Sequence, residues 1–561
     1  MFQIINIYLQ HKAEVHNETA GPGSHLLGRV ESLNNTTSVF TLLTAVVIIV
    51  FLVALLLKEH HLMAKLTKLV PTSGILIILG IISALLTHLF EEQFQNKFPP
   101  AIITANLFQH VLIFPILLYT SYTLYNQQFL RQITSVYILS VFGTILNVLL
   151  TGLILKYIHD AVWNPYMSLT QSFAFASLIS VVDPLAVVTV FQGVSQAKGN
   201  FFLAFGAALF GYGVAMELFE AANVLAVFEE EDTIPMSSYG YFAAATITDV
   251  FWGIMIGVTC GLVSAAITKT TTIECEYFEP LITLGFALFG YVLCLDLGFS
   301  YIFSTIFCGL VQERYTSMNM SPKSSMNTEN IIFGFAFLTE LLMFLLIGYL
   351  VVDVGFYAVW DFTIAVIIII YVIRIFITLG LSLLLNIFRL STISFKWQLM
   401  IFGGHRGPMS FAMVLAYTGP FGRMFRDTTL LVIVFSVMVD GVMTRYLGSQ
   451  LKLKSEARES VVNDLLVTTV VYGGGELSNL LGVEMVANRT NCFHAFERMI
   501  FRFFITDEDK LTNVYRMHTK VERRLAMQKL EKHYYIKPDS KKSDTVDEED
   551  TGAVEIPVNS S

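Results

Sequence analysis

SLISVVDPLAVVTVF, residues 177–191, sets an aspartate and a proline, Asp183 and Pro184, inside a long apolar run. A carboxylate in an apolar segment of this kind is costly to bury unless it is paired or lines a cavity. Proline removes an intrahelical hydrogen bond and disfavours the helical conformation of the residue before it. The pair therefore predicts a helix broken at Asp183, with freed backbone carbonyls beside a carboxylate. Oxygens so arranged can replace the water around a small hard cation.

The rest of the chain makes this run a membrane segment. Of 561 residues, 54% are hydrophobic and 14% charged, and the mean hydropathy is +0.63. That composition excludes a soluble domain of this size and describes a polytopic membrane protein. The formal net charge of −9 argues against a nucleic-acid partner. Cys260, Cys275, Cys294 and Cys308 fall in or beside apolar segments without metal-like spacing. They read as small core residues, with no disulfide framework and no metal site. No cofactor is implied. The N-terminal MFQIINIYL is too short and too poorly charged for a signal peptide.

A helix needs ~20 apolar residues to cross the hydrocarbon core. Runs of that kind start near Ser38, Ser73, Asn106, Gln132, Ser168, Asn200, Tyr239, Phe278, Asn330, Phe362, Lys396 and Thr428, and a shorter one spans Ser300 to Val311 after a break at Asp296–Gly298. The expected fold is all-α, with about thirteen transmembrane helices. Loop charges orient it. With the N-terminus outside, Lys58, Lys65, Lys68, Arg131, Lys198, Lys269, Arg314, Lys323, Arg389 and Lys396 are cytoplasmic, while only Lys97, Lys156, Arg423 and Arg426 are outside. That asymmetry obeys the positive-inside rule. The sequons at Asn17, Asn34 and Asn35 fall outside, where glycosylation is possible; the one at Asn319 falls inside and is expected to be unused.

Four regions are expected: an extracellular segment 1–37, a transmembrane domain 38–447, cytoplasmic juxtamembrane helices 448–536 and a disordered acidic tail 537–561. In Glu456–Tyr472, Val461, Val462, Leu465, Leu466, Val470 and Val471 share one helical face, which Gly473–Gly475 ends. No strand precedes those glycines and no GK[ST] follows, so they read as a breaker and not a phosphate loop. Phe493–Phe504 is amphipathic, with Arg498 and Arg502 among its phenylalanines. It suits a helix lying on inner-leaflet lipids or one packed in a small cytoplasmic domain.

Ionisable residues within the spans are the candidates for chemistry: Asp183, Glu340, Arg374 and Arg406 near segment centres, with Asp249 and Glu217 also inside spans. For Glu340 and Arg374 internal pairing is the simpler reading. A second interrupted segment is FGGHRGPMSF, 402–411, where Gly403, Gly404, Gly407 and Pro408 surround Arg406. These interruptions fall in the fifth and twelfth expected crossings. Interrupted helices at corresponding places are the sequence sign of a midplane site built on inverted repeats. Arg406 could then neutralise helix ends or pair with an acid.

With these motifs in hand, the chain resembles the sodium/proton exchangers of the cation:proton antiporter group. The resemblance rests on the Asp183–Pro184 segment and on FPILLYTSY (114–122), LVQERYTSMNMSPKS (310–324), FLTELLMFLLIG (337–348), FGGHRGPMSF (402–411) and VMVDGVMTRYL (437–447), in the family's order. It implies thirteen helices in inverted repeats with two interrupted crossing helices, a homodimer, and sodium and protons exchanged across the plasma membrane. The 456–472 helix, through Val461, Leu465 and Val470, resembles the family's site for a calcineurin-like calcium-binding subunit, and Phe493–Glu531 its cytoplasmic juxtamembrane domain.

One family motif departs. The family carries a GESLLND-like motif whose Asn–Asp pair lies in the ion site. It falls here on GAALFGY, Gly206 to Tyr212, with Ala207 at the glutamate, Gly211 at the asparagine and Tyr212 at the aspartate. Tyr119 stands where an aspartate is usual. A phenol, with an unperturbed pKa of about 10, does not carry a proton in exchange for a cation near neutral pH. Glu217, five residues on, would point about 140° away. The expectation is little or no sodium-driven proton flux. Two alternatives stand beside exchange: a transport-inactive homologue that partners an active exchanger, and a cation transporter of altered stoichiometry.

Overall fold

A computed structural model describes residues 72–89, 111–125, 129–130, 132–163, 166–184, 187, 199–231, 236–270, 278–320, 322–354, 359–388 and 406–443. The expected crossing near Ser38, the glycines Gly403 and Gly404, and the whole tail with Val461, Leu465 and Val470 lie outside the described residues.

The described secondary structure is entirely helical. In chain order the helices are α1 Thr72–Leu89, α2 Ile113–Leu124, α3 Ile133–Val162, α4 Leu169–Ser180, α5 Gly199–Glu231, α6 Met236–Thr270, α7 Glu279–Leu297, α8 Tyr301–Val311, α9 Pro322–Val354, α10 Trp360–Ile387, α11 Pro408–Leu415 and α12 Gly422–Phe435. A helix stands at each expected crossing from Ser73 onward. Among the described residues six are long and apolar enough to cross a membrane: Ile133–Val162, Phe201–Ala226, Gly240–Thr270, Glu279–Leu297, Ser324–Val352 and Trp360–Ile387. The chain is an integral membrane protein.

Local chemistry sets the boundaries. Ser168 caps α4 with a reciprocal box: its Oγ accepts from Gln171 N at 3.2 Å, and its N–H donates to Gln171 Oε1 at 3.0 Å. Pro280 sits in the first turn of α7, and Gly298 ends that helix with φ 73°, a left-handed conformation that costs glycine nothing. The break expected at Asp296–Gly298 thus has a defined cap, and Ser300 opens α8 by accepting from Phe303 N.

Packing relies on close backbone approach, as it must where lipid supplies no hydrophobic drive between helices. At the crossing of α1 and α9, a Cβ on Gly348 would stand 2.2 Å from the Ile77 carbonyl. Along α6, Gly253, Gly257 and Gly261 lie against α8, and a Cβ on Gly257 would stand 2.1 Å from Ser304 O. α2 packs between α8 and α9, while α3, α4 and α5 pack in succession, with α10 on α3. α5 is enclosed along most of its length, whereas α10 exposes Ile364, Ile368, Val372, Phe376 and Leu383. A helix so apolar outside reads as lipid-facing. Asn319 is buried and donates from Nδ2 to Ala265 O at 2.8 Å. An amide held there leaves no room for a glycan, as its expected cytoplasmic position also requires. Cys260, Cys294 and Cys308 are buried and unbridged.

Candidate ion-binding site

The first expected interruption is present, and the described part of the second segment, from Arg406 onward, meets it. α4 stops at Ser180, and Val181 turns to ψ 133°. Val181–Asp183 are non-helical; the helical path resumes at Pro184, where Val187 N donates to Asp183 O at 3.2 Å. In the second segment Arg406 and Gly407 are non-helical, Gly407 being extended, and Pro408 occupies the first turn of α11, which is where its fixed φ and missing N–H are tolerated. Gly407 lies directly against Asp183: a Cβ there would stand 1.8 Å from Oδ2. Asp183 itself is 1% exposed.

Arg406 joins the two breaks. Its Nη1 donates to Ser180 O at 2.8 Å and to Val181 O at 2.6 Å. Two carbonyls freed by the interruption are therefore held by a guanidinium, and not left open to a cation as the sequence suggested. A buried charge set against the negative end of a broken helix is favourable on both counts. The Arg406 N–H donates to Ser436 Oγ at 2.8 Å, and Ser436 Oγ donates to Asp440 Oδ2 at 3.2 Å. Tyr371 OH of α10 donates to the same Asp440 oxygen. Arg374, one turn along α10, shares this electrostatic neighbourhood with Arg406 and Asp440. Two guanidiniums, one carboxylate and a phenol thus form a cluster behind Asp183. Asp440 was overlooked in the sequence; its signal was an acid within the apolar VMVDGVM.

The other candidates separate into two groups. Glu340 of α9 is 9% exposed and within electrostatic reach of Asp183 and of Tyr119. Tyr119 also packs its ring on Phe333, with centroids 5.2 Å apart. Tyr212 is fully enclosed, and its hydroxyl finds no hydrogen-bond partner among the described residues. It lies within electrostatic reach of Asp183, Glu220 and Tyr291. Gly211 faces elsewhere: a Cβ there would stand 3.0 Å from Thr144 Oγ1 of α3. Asp249 lines a cleft with Glu217, Glu220, Thr246 and Ser300, in which neither Asp183 nor Arg406 takes part. Glu220, eight residues beyond Tyr212, is a second group that the sequence reading passed over.

An interrupted helix whose buried carboxylate meets a second non-helical segment is the arrangement of secondary membrane transporters. Comparison gives the family. The transmembrane sodium/hydrogen exchanger profile matches residues 30–449, and the chain belongs to that family. Na(+)/H(+) exchanger protein 7 of Caenorhabditis elegans is 29% identical over 419 residues, covering 71% of this chain and 52% of the relative. Human sodium/hydrogen exchanger 5 is 30% identical over 420 residues, covering 72% and 46%. The chain thus spans about half the length of these relatives. The sodium proton antiporter MjNhaP1 from Methanocaldococcus jannaschii, 17% identical, superposes with a TM-score of 0.54 over 75% of this chain and 99% of its own. The fold is therefore that of this antiporter.

Proposed function

We propose that the protein is a secondary transporter that exchanges sodium, or another monovalent cation, for protons across a membrane and so regulates pH. The observation that carries this reading is the meeting of the two helix breaks at Asp183, with Gly407 against its carboxylate. Asp183 and Pro184 form the core of the ion site, with Tyr212 in its electrostatic surroundings; Gly211, expected there too, faces α3 instead. Arg406 holds the break shut, and Glu340, Arg374 and Asp249 supply the surrounding charge. Membership of the exchanger family supports the same assignment.

The finer proposals follow the same line. The protein works as a homodimer at the plasma membrane, with its tail in the cytoplasm. The boundaries 1–37, 38–447, 448–536 and 537–561 divide it, the 456–472 helix docks a calcineurin-like calcium-binding subunit, and Phe493–Phe504 rests on lipid. The test is recovery of cytosolic pH on adding sodium after an acid load, in cells lacking other exchangers. Recovery that depends on Asp183 supports exchange; no recovery by a surface-expressed protein refutes it. Tyr212 favours one rival, a transport-inactive homologue acting as partner of an active exchanger, because an enclosed phenol cannot swap a proton for sodium.

A further inference from the structure

α4 and α11, the helices on either side of Asp183, are joined a second time by one aromatic ring. Phe425 of α12 stacks on Phe175 of α4, with centroids 4.3 Å apart and planes at 17°, and its centroid lies 5.0 Å from that of Tyr417, which follows α11. Phe175 stands five residues before the end of α4 at Ser180, so this helix has the ion site at one end and the ring contact toward the other. Phe421 lies 5.9 Å from Phe425, and Phe362 of α10 lies 5.8 Å from Phe175. Both of these rings also pack on His159 near the end of α3, at 5.7 and 5.9 Å and nearly perpendicular to it. Trp163, one turn beyond His159, adds a third ring at 5.9 Å. In the orientation that the loop charges predict, these rings close the outer end of the bundle over Asp183.

A histidine is a strange centre for such a seal. His159 is 2% exposed, and its Nδ1 is buried without a hydrogen-bond partner among the described residues. The carboxylate beside it, Asp160, stands 4.0 Å from Nδ1, too far for a hydrogen bond. That carboxylate is already engaged: Lys156 Nζ donates to Oδ2 at 3.0 Å and Met167 N donates to Oδ1 at 3.3 Å. The other charges on the packed elements give an imidazolium no better partner. Arg423 and Arg426 of α12 are cationic and share Asp427, at 3.9 and 3.2 Å. Asp361 of α10 is exposed to the outside of the seal, and α4 and α11 carry no charged side chain, Tyr417 being the titratable group at that end. An imidazolium has two N–H donors to satisfy, and a dry aromatic pocket with no free acceptor excludes it. The seal therefore closes on a neutral ring, and a proton on that ring favours an arrangement in which it reaches water.

We propose that His159 is a proton-operated latch on the outer path to Asp183. Neutral, it holds α3, α10 and α12 together around Phe175 and Tyr417. Protonated from outside, it lets these helices part, so external acid opens the seal. The latch rests on the exchange reading for its purpose, because an exchanger must open its ion site outward, but not for its test.

Two readouts test it on the purified full-length protein. Trp163 lies 5.9 Å from His159 and follows it in the chain by four residues, so the two stay together whether the seal is shut or open, and an imidazolium quenches a neighbouring indole. Tryptophan emission should fall on acidification with a midpoint between about pH 5 and 8. His159→Gln should abolish that fall, as should Trp163→Phe. Amide hydrogen exchange in α4 and α12, corrected for its intrinsic pH dependence, should quicken several-fold over the same titration, one proton supplying at most about tenfold per pH unit. It should not do so in His159→Gln. If that variant fails to fold, His159→Phe, which keeps a ring in the seal, takes its place. Sodium-driven proton flux in proteoliposomes is measured beside them: both responses without flux uphold the latch and refute exchange. No His159-dependent titration, or one that leaves exchange in α4 and α12 unchanged or slows it, overturns the proposal.

Discussion

Gly407 carries the Asp183 carboxylate against its backbone: a Cβ at position 407 would lie 1.8 Å from Asp183 Oδ2. No real Cβ approaches an oxygen so closely, so Gly407→Ala must move either the carboxylate or the start of α11. Misplacing a reacting group by ~1 Å can cost about a hundredfold in rate. Sodium-driven flux by Gly407→Ala should fall to that degree. Gly334→Ala, where the added carbon meets nothing within 4 Å, is the matched control. Equal flux from the two variants would mean that the carboxylate is not held for transport.

Arg406→Ala removes the donor to Ser180 O and Val181 O. Each carbonyl left unpaired in the interior costs roughly 1–3 kcal/mol, a large share of a membrane domain's margin. Folded yield in detergent should drop, whether or not the protein transports. Lysine at 406 should recover part of that yield, since an ammonium can reach one carbonyl but lacks the planar fork. A monodisperse Arg406→Ala protein at normal yield would remove the structural role.

Much of this arrangement was legible in the sequence. An acid beside proline, and an arginine among glycines before proline, each announce a break, because backbone sterics act locally. The cap at Gly298 was legible for the same reason. What Arg406 holds was not legible: Ser180 and Arg406 are 226 residues apart, and only the crossing of two chains brings them together. Asp249 was legible as an acid inside a span, but the cleft it shares with Glu220 was hidden likewise, since an acid's neighbours on another helix leave no trace in its own periodicity. Asp440 was visible as an acid in an apolar run, but its partners Tyr371 and Ser436 come from two different segments.

Gly257→Val tests the packing of α6 on α8. Its Cβ would stand 2.1 Å from the Ser304 carbonyl, a backbone atom that cannot swing aside. The helices must separate, breaking contacts along the Gly253–Gly261 stripe. The apparent melting temperature of the purified protein should fall by several degrees. Gly285→Val, which meets nothing within 4 Å of its Cβ, should leave it near the unmutated value. Equal melting of both variants would deny the close approach.

The tail prediction rests on sequence periodicity. If Val461, Leu465 and Val470 form one apolar helical face, a charge at its centre should abolish docking in a groove. Leu465→Glu should lose a co-purifying calcium-binding subunit that the unmutated protein retains. Absence of such a subunit from the unmutated protein would end the proposal.

Restoring the family's acid pair gives the sharpest contrast. Tyr212 fills an enclosed position, so Tyr212→Asp trades a large ring for a carboxylate plus space for water. Gly211→Asn is tighter, because its Cβ would stand 3.0 Å from Thr144 Oγ1, and α3 must yield by a few tenths of an ångström. The double variant should therefore fold in lower yield, yet show faster sodium-driven pH recovery per molecule than the unmutated protein. Asp183→Asn should abolish flux in the double variant and in the native sequence alike. A folded double variant with unraised flux, or flux in any background that survives Asp183→Asn, would place the transported ion somewhere other than the meeting point of the two broken helices.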